Sequence, residues 1–202
     1  MNSLYEAFPT SVDVVGVDYP IITDFREWIK FMDMAEDDEI PLEIKLQCML
    51  QYFTDEKPRD LQAAVQALRR FLLADELFDS IKQTSLTQGG ADSSQENDAE
   101  PANHVRAYDY TIDQGYVIQA FLEVYHIDLL EIEYMHWWKF RLLFEHLPEE
   151  SAMKKLIYYR TVNLNSISDV NERKRIKKIR KQVAIKKKKR KITDYQIGDA
   201  FW

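Results

Sequence analysis

The sequence predicts a mainly α fold: a helical bundle of about six helices with a short N-terminal β-ribbon and a basic C-terminal helical arm. Three observations predict it. Apolar residues recur at helical spacing along most of the chain, Gly is scarce at five, and hydrophobic residues make up 46% of 202 positions. That apolar share suffices for a core, and few glycines argue against a turn-rich all-β chain. The length suits one domain with arms.

Residues 10–22, TSVDVVGVDYPII, alternate apolar and polar positions. Val12, Val14, Val17, Tyr19 and Ile21 therefore predict two short strands around Gly16. A lone ribbon is marginal in water and must lean on helices. Asp24, with Glu27 three residues on, reads as a capping box opening a helix over 24–35, with Phe25, Trp28, Ile29 and Met32 inward. After the acidic turn 36–39, Leu42, Leu46, Met49, Leu50 and Phe53 predict a second amphipathic helix. Pro58 suits the first turn of a third, lined by Leu61, Ala64, Val65, Leu68 and Leu72.

Residues 83–104 are polar and nearly free of apolar side chains, the composition of a flexible linker. They separate residues 1–82 from 105–167, read as two halves of the same domain. In the second half, Ile112, Val117, Phe121 and Val124 mark a helix over 112–125. Asp128 and Glu131 repeat the capping-box spacing before a helix over 133–147 that is apolar nearly all round and so central to the core. Pro148 ends it, and Met153, Leu156 and Ile157 mark another over 149–160. A last helix over 168–185 has only a thin stripe of Ile176, Ile179 and Val183, and opens the basic arm and tail, 168–202.

The formal net charge of −7 hides a split. Residues 173–191 hold thirteen Lys or Arg and no acid, whereas the chain before them holds 14 basic and 32 acidic residues. The arm comprises Arg173, Lys174, Arg175, Lys177, Lys178, Arg180, Lys181, Lys186, Lys187, Lys188, Lys189, Arg190 and Lys191. Such asymmetry marks a partner-binding arm, suited to a phosphate backbone, an acidic protein surface, or the chain's own acidic body. No aromatic residue interleaves the run, so base stacking is unsupported and nucleic acid is not favoured.

Signals for chemistry are sparse. Cys48 is the one cysteine, set among Leu46, Met49 and Leu50, and reads as a core residue. His104, His126, His136 and His146 show no metal-ligand spacing, no Gly-rich phosphate loop occurs, and Glu131 and Glu133 face different ways on a helix. We expect no enzymatic activity, no cofactor and no metal. Neither a signal peptide nor a membrane-spanning run is evident, so we expect a cytosolic protein. Trp137 and Trp138 read as core filling rather than a binding platform. Arg141, on a face with Trp137 and Phe144, must find a carboxylate or carbonyl partner if buried.

Two segments resemble a known family. YPIITDFREWIKF (19–31) resembles the N-terminal signature of a family encoded in tail gene clusters of siphophages and prophages of Gram-positive bacteria, carried here by Tyr19, Pro20, Asp24, Phe25, Arg26 and Trp28. HIDLLEIEYMHWWKFRLLFEHLPEE (126–150) with YYRTVNLNSI (158–167) resembles its C-terminal signature, carried by His136, Trp137, Trp138, Lys139, Phe140, Arg141, Tyr159 and Arg160. We expect these residues to be structural. The resemblance covers most of residues 10–180. It implies a gene just upstream of the tape-measure gene and a tail assembly chaperone. Such a protein coats the phage tape-measure protein, recruits tail tube protein in the host cytoplasm, and leaves before the virion is complete. Self-association is compatible with that role. Two alternatives stay open: a structural tail or connector component retained in the virion, and a nucleic-acid-binding accessory protein acting through residues 173–191.

Overall fold

Alternation in residues 11–20 produces a hairpin whose inner face carries the valines. Strands β1 (Ser11–Val14) and β2 (Val17–Pro20) pair antiparallel, with Val12 opposite Tyr19 and Val14 opposite Val17. Val12 and Val14 are buried, and β1 lies on the third helix, which gives the ribbon the support it needs. The structure, a computed structural model, describes residues 6–79 and 106–185. The linker expected at 83–104 and residues 186–191 lie outside the described residues.

Asp24 opens α1 (Phe25–Glu36) by accepting from the Arg26 N–H at 2.9 Å. The reciprocal half of the expected capping box does not form. Glu27 turns instead to Lys30, whose Nζ donates to it at 2.8 Å. Phe25, Trp28 and Phe31 face the core. Helix α2 (Leu42–Leu50) follows, and it departs from expectation: none of its residues is buried. It lies at the edge of the core, where Met49 and Leu50 pack in part, and Leu42 is 66% exposed.

Helix α3 (Leu61–Leu73) is capped by Asp60, whose carboxylate accepts from the Ala63 N–H at 2.9 Å. Pro58 therefore stands outside the helix rather than in its first turn. A carboxylate satisfies a free N–H of the first turn, whereas Pro only lacks one. Ala64, Ala67, Leu68 and Phe71 form the buried face. The helix stops at Ala74, held in the left-handed region at φ 54°, and a further helical turn occupies residues 75–79.

The second half contributes α4 (Gln114–Tyr125), α5 (Trp137–Glu145) and α6 (Ala152–Thr161), the last capped by Ser151. A 3-10 turn (Leu164–Ser166) and α7 (Val170–Val183), capped by Asp169, complete the described chain. The helix expected over 133–147 begins only at Trp137. Asp128 closes a single turn, accepting from the Leu130 N–H at 2.8 Å, and Tyr134 and Met135 run extended. Trp137, Trp138, Phe140 and Phe144 all lie within the core, with Phe140 stacked between Phe25 (4.7 Å) and Phe121 (5.0 Å). The protein is thus mainly helical with a short N-terminal hairpin.

The hairpin turn has an unusual sequence for its geometry. Val15 and Gly16 both have positive φ, 55° and 79°, as a two-residue type I′ turn requires. Gly accepts that region freely, but a β-branched residue does not. Val15 is 74% exposed, so no burial compensates. Val15→Asn should therefore stabilise the protein by about 1 kcal/mol, seen as a raised urea midpoint at unchanged slope. An unchanged or lowered midpoint would show that the turn stores no strain.

Candidate interaction surface

The N-terminus of α5 is where the two signature segments meet. Residues 23–25 and 135–137 form an antiparallel bridge: Phe25 N–H donates to Met135 O at 2.9 Å, and Trp137 N–H donates to Thr23 O at 2.7 Å. Arg26 reinforces the seam. One end of its guanidinium meets Asp24 at 3.3 Å, and the other donates to the carbonyls of Leu129 and Ile132. Trp28 donates its indole N–H to Ile22 O at 2.8 Å, fixing the chain that enters α1.

Trp137 and Trp138 do more than fill space. Their indole N–H groups donate to Leu72 O (2.9 Å) and Phe71 O (2.8 Å), in the last turn of α3. A helix end leaves carbonyls without intrahelical partners, and these indoles supply donors. Arg141 adds a third donor to Leu72 O at 3.1 Å, lies 3.6 Å from Glu145, and sits over the Trp137 ring. Lys139 is exposed on the opposite face, and Phe140 is wholly buried.

His136 caps α5. Its Nδ1 accepts from the Trp138 N–H at 3.0 Å, so Nε2 carries the proton and donates to Pro9 O at 3.0 Å. Both ring nitrogens are thereby committed to the neutral form, and burial lowers the imidazole pKa below its ordinary value. His126 and His146 are exposed. Among the described residues no three His, Cys, Asp or Glu lie close enough to hold a metal ion, and no helix is long and apolar enough to cross a membrane.

The remaining signature residues hold the other end of the molecule. Arg160 is buried and clasps both carboxylate oxygens of Asp113 at 2.6 and 2.8 Å, while also donating to Val183 O at 2.7 Å and Ala107 O at 3.3 Å. Asp113 stands at the N-terminus of α4, yet it makes no cap there because Arg160 takes its carboxylate. Tyr159 is half-buried, and its carbonyl accepts from Arg180 Nε at 2.9 Å. Tyr19 packs edge-on against Phe53 at 5.9 Å, and Pro20 O accepts from the Thr54 N–H at 3.1 Å.

The basic arm is held by bonds of the same kind. The described part, through residue 185, is docked on the body. Ile176 is buried, Arg180 caps the end of α6 through Tyr159 O and Val162 O, and Arg173 donates to Ile167 O at 2.9 Å. Arg175 pairs with Glu172 at 3.5 Å. Lys174, Lys177, Lys178 and Lys181 remain exposed at i, i+3, i+4 and i+7, one face of α7 opposite Ile176 and Val183. Lys186, Lys187, Lys188, Lys189, Arg190 and Lys191 lie outside the described residues.

A groove of about 320 Å³ opens between the ribbon and the end of α3. Val12, Phe71 and Trp138 line its base, and Asp13, Asp18, Asp75 and Glu76 surround it with Arg70. None of these four acids stood out in the sequence beyond the general acidic excess. Residues 13 and 18 face each other across the hairpin, and residues 75 and 76 begin the turn after α3, a juxtaposition that only the fold creates.

The neutral His136 cap makes stability depend on pH in a definite direction. In the unfolded chain this imidazole titrates near ~6.5, and in the folded chain it does so lower. Its contribution is therefore full above about pH 6.5 and is lost as the pH falls toward the folded value. Moving from pH ~7.5 to ~5.5 should lower the urea midpoint more for the native protein than for His136→Asn, whose amide caps without titrating. Equal slopes for the two proteins would remove His136 as a source of the pH dependence.

No curated protein and no solved structure matches the chain. A family model described as Bacteriophage Gp15 protein matches residues 4–185, which include the seam, the groove and α7. With nearly its whole described length matched, the chain belongs to the bacteriophage Gp15 protein family.

Proposed function

We propose that the protein is a non-enzymatic tail assembly factor, a chaperone for the tape-measure protein during tail morphogenesis. It acts in the host cytoplasm and leaves before the virion is complete. Membership of a bacteriophage family and the resemblance of residues 19–31 and 126–167 to tail-cluster proteins support this reading.

The observation that carries it is α2. This helix leaves Leu42 exposed and Ile44, Leu46 and Cys48 only half-buried, while Met49 and Leu50 pack at the edge of the core, beside the acidic residues Asp37, Asp38, Glu39 and Glu43. A helix that keeps part of its apolar side at the surface is suited to lie against an amphipathic partner helix. A long helical tape-measure protein offers such stripes repeatedly. The apolar strip supplies affinity, while the acidic surround keeps the free protein soluble.

Counting this protein by mass spectrometry in purified virions and in infected-cell lysate tests the role. Abundance in lysate and absence from virions is expected. A fixed copy number in virions would make it a structural tail or connector component instead. Replacing the exposed Leu42 by Ser should reduce capture of the tape-measure protein about tenfold at unchanged fold. Undiminished capture would move the contact away from α2.

A further inference from the structure

The acidic groove and the lysine face of α7 are complementary surfaces on one molecule, and they do not meet within it. We propose that the groove of one copy takes the basic face of α7 of a second copy, so that the protein associates head to tail.

Two observations carry the pairing. The carboxylates of Asp13, Asp18, Asp75 and Glu76 make no hydrogen bond or ion pair among the described residues, and neither do the ammonium groups of Lys174, Lys177, Lys178 and Lys181. The groove sets four carboxylates against the one guanidinium of Arg70, and the α7 face holds four ammonium groups, so the two surfaces carry net charge of opposite sign. The four lysines span about 10 Å of helix, with stems able to lie along the apolar base of Phe71 and Trp138 while their ammonium groups reach the acidic rim.

The geometry also decides between one molecule and two. Ile176, Arg173 and Arg180 fasten the opposite side of α7 to the body, so its lysine face is directed away from its own chain. No described residue covers that face, which leaves it open to a second copy. Nucleic acid is the less favourable occupant, because the chain before residue 173 carries 32 acids against 14 bases and repels a polyanion brought to its surface.

Groove and lysine face are different patches, so their contact is heterologous. With one contact formed at a time, each added copy leaves one groove and one lysine face free, so copies add in series. The contact is small and charged, hence weak and salt-sensitive in free solution. This deepens the tail-assembly reading and rests on it only for its purpose: an extended partner coated by copies in series.

Sedimentation velocity of the full chain tests the proposal, with two variants. One carries D13N, D18N, D75N and E76Q; the other carries K174Q, K177Q, K178Q and K181Q. All eight side chains are exposed and unpaired, so circular dichroism should report native folds. At low salt the native protein should associate with rising concentration and dissociate at about 0.5 M salt. Each variant alone should stay monomeric. Their equimolar mixture should form dimers and stop there, because one supplies the groove and the other the lysine face.

A monomeric native protein at low salt, or a variant that associates like it, would overturn the proposal. So would duplex DNA binding through the lysine face without self-association. The assay contains this chain alone, so its failure leaves the tape-measure reading untouched, and failure of that reading leaves this association untouched.

Discussion

The first turn of α5 must satisfy its own free N–H groups, while the two indoles beside it need acceptors for theirs. The chain meets both demands at one place. Thr23 O takes the Trp137 N–H, His136 takes the Trp138 N–H, and the last carbonyls of α3 take the indoles. Each group would be costly to bury alone, by roughly 1–3 kcal/mol. Because all of these partners but His136 come from distant parts of the sequence, and His136 itself reaches Pro9, the seam joins the ribbon, α1, α3 and α5 at once. Arg160 does the same for α4, α6 and α7 through Asp113 and the carbonyls of residues 107 and 183. Breaking such a buried pair on one side leaves an uncompensated charge, which is far worse than never having made it.

Much of this was legible in the residues. Periodicity located the hairpin and the helices, and the mainly helical class with a ribbon is what the chain adopts. Local signals failed where distant contacts outweighed them. Asp128 and Glu131 look like the start of α5, but the strand-like pairing of residues 23–25 with 135–137 holds Met135 extended and delays the helix to Trp137. His136 is a weaker capping residue by reputation than Asp, and only its bond to Pro9 fixes the tautomer that makes it an acceptor. Asp113 had no signal in the sequence, because its ion-pair partner Arg160 arrives from 47 residues away. For α2 the spacing was right but the burial only partial: Met49 and Leu50 pack at the edge of the core while Leu42 stays exposed, a difference the spacing does not encode.

The surfaces carry the functional reading, and their chemistry follows from the same fold. Using Arg173, Arg180 and Ile176 to dock α7 leaves its lysines outward, so the basic charge is displayed on a rigid helix through residue 185. Ending α3 at Ala74 under the indoles places Asp75 and Glu76 across from the hairpin acids. The fold thus displays an acidic groove and a basic face on one body, and the family places the chain among bacteriophage proteins.

The central claim is that residues before and after the 83–104 segment form one cooperative body through the seam at α5. A protease site placed in that segment, cut after folding, tests it most directly. The account predicts that the two pieces elute together, melt in a single transition near that of the uncut protein, and keep the Trp137 and Trp138 indole N–H groups protected from exchange. Pieces that separate under native conditions, or that melt in two independent transitions, would contradict it.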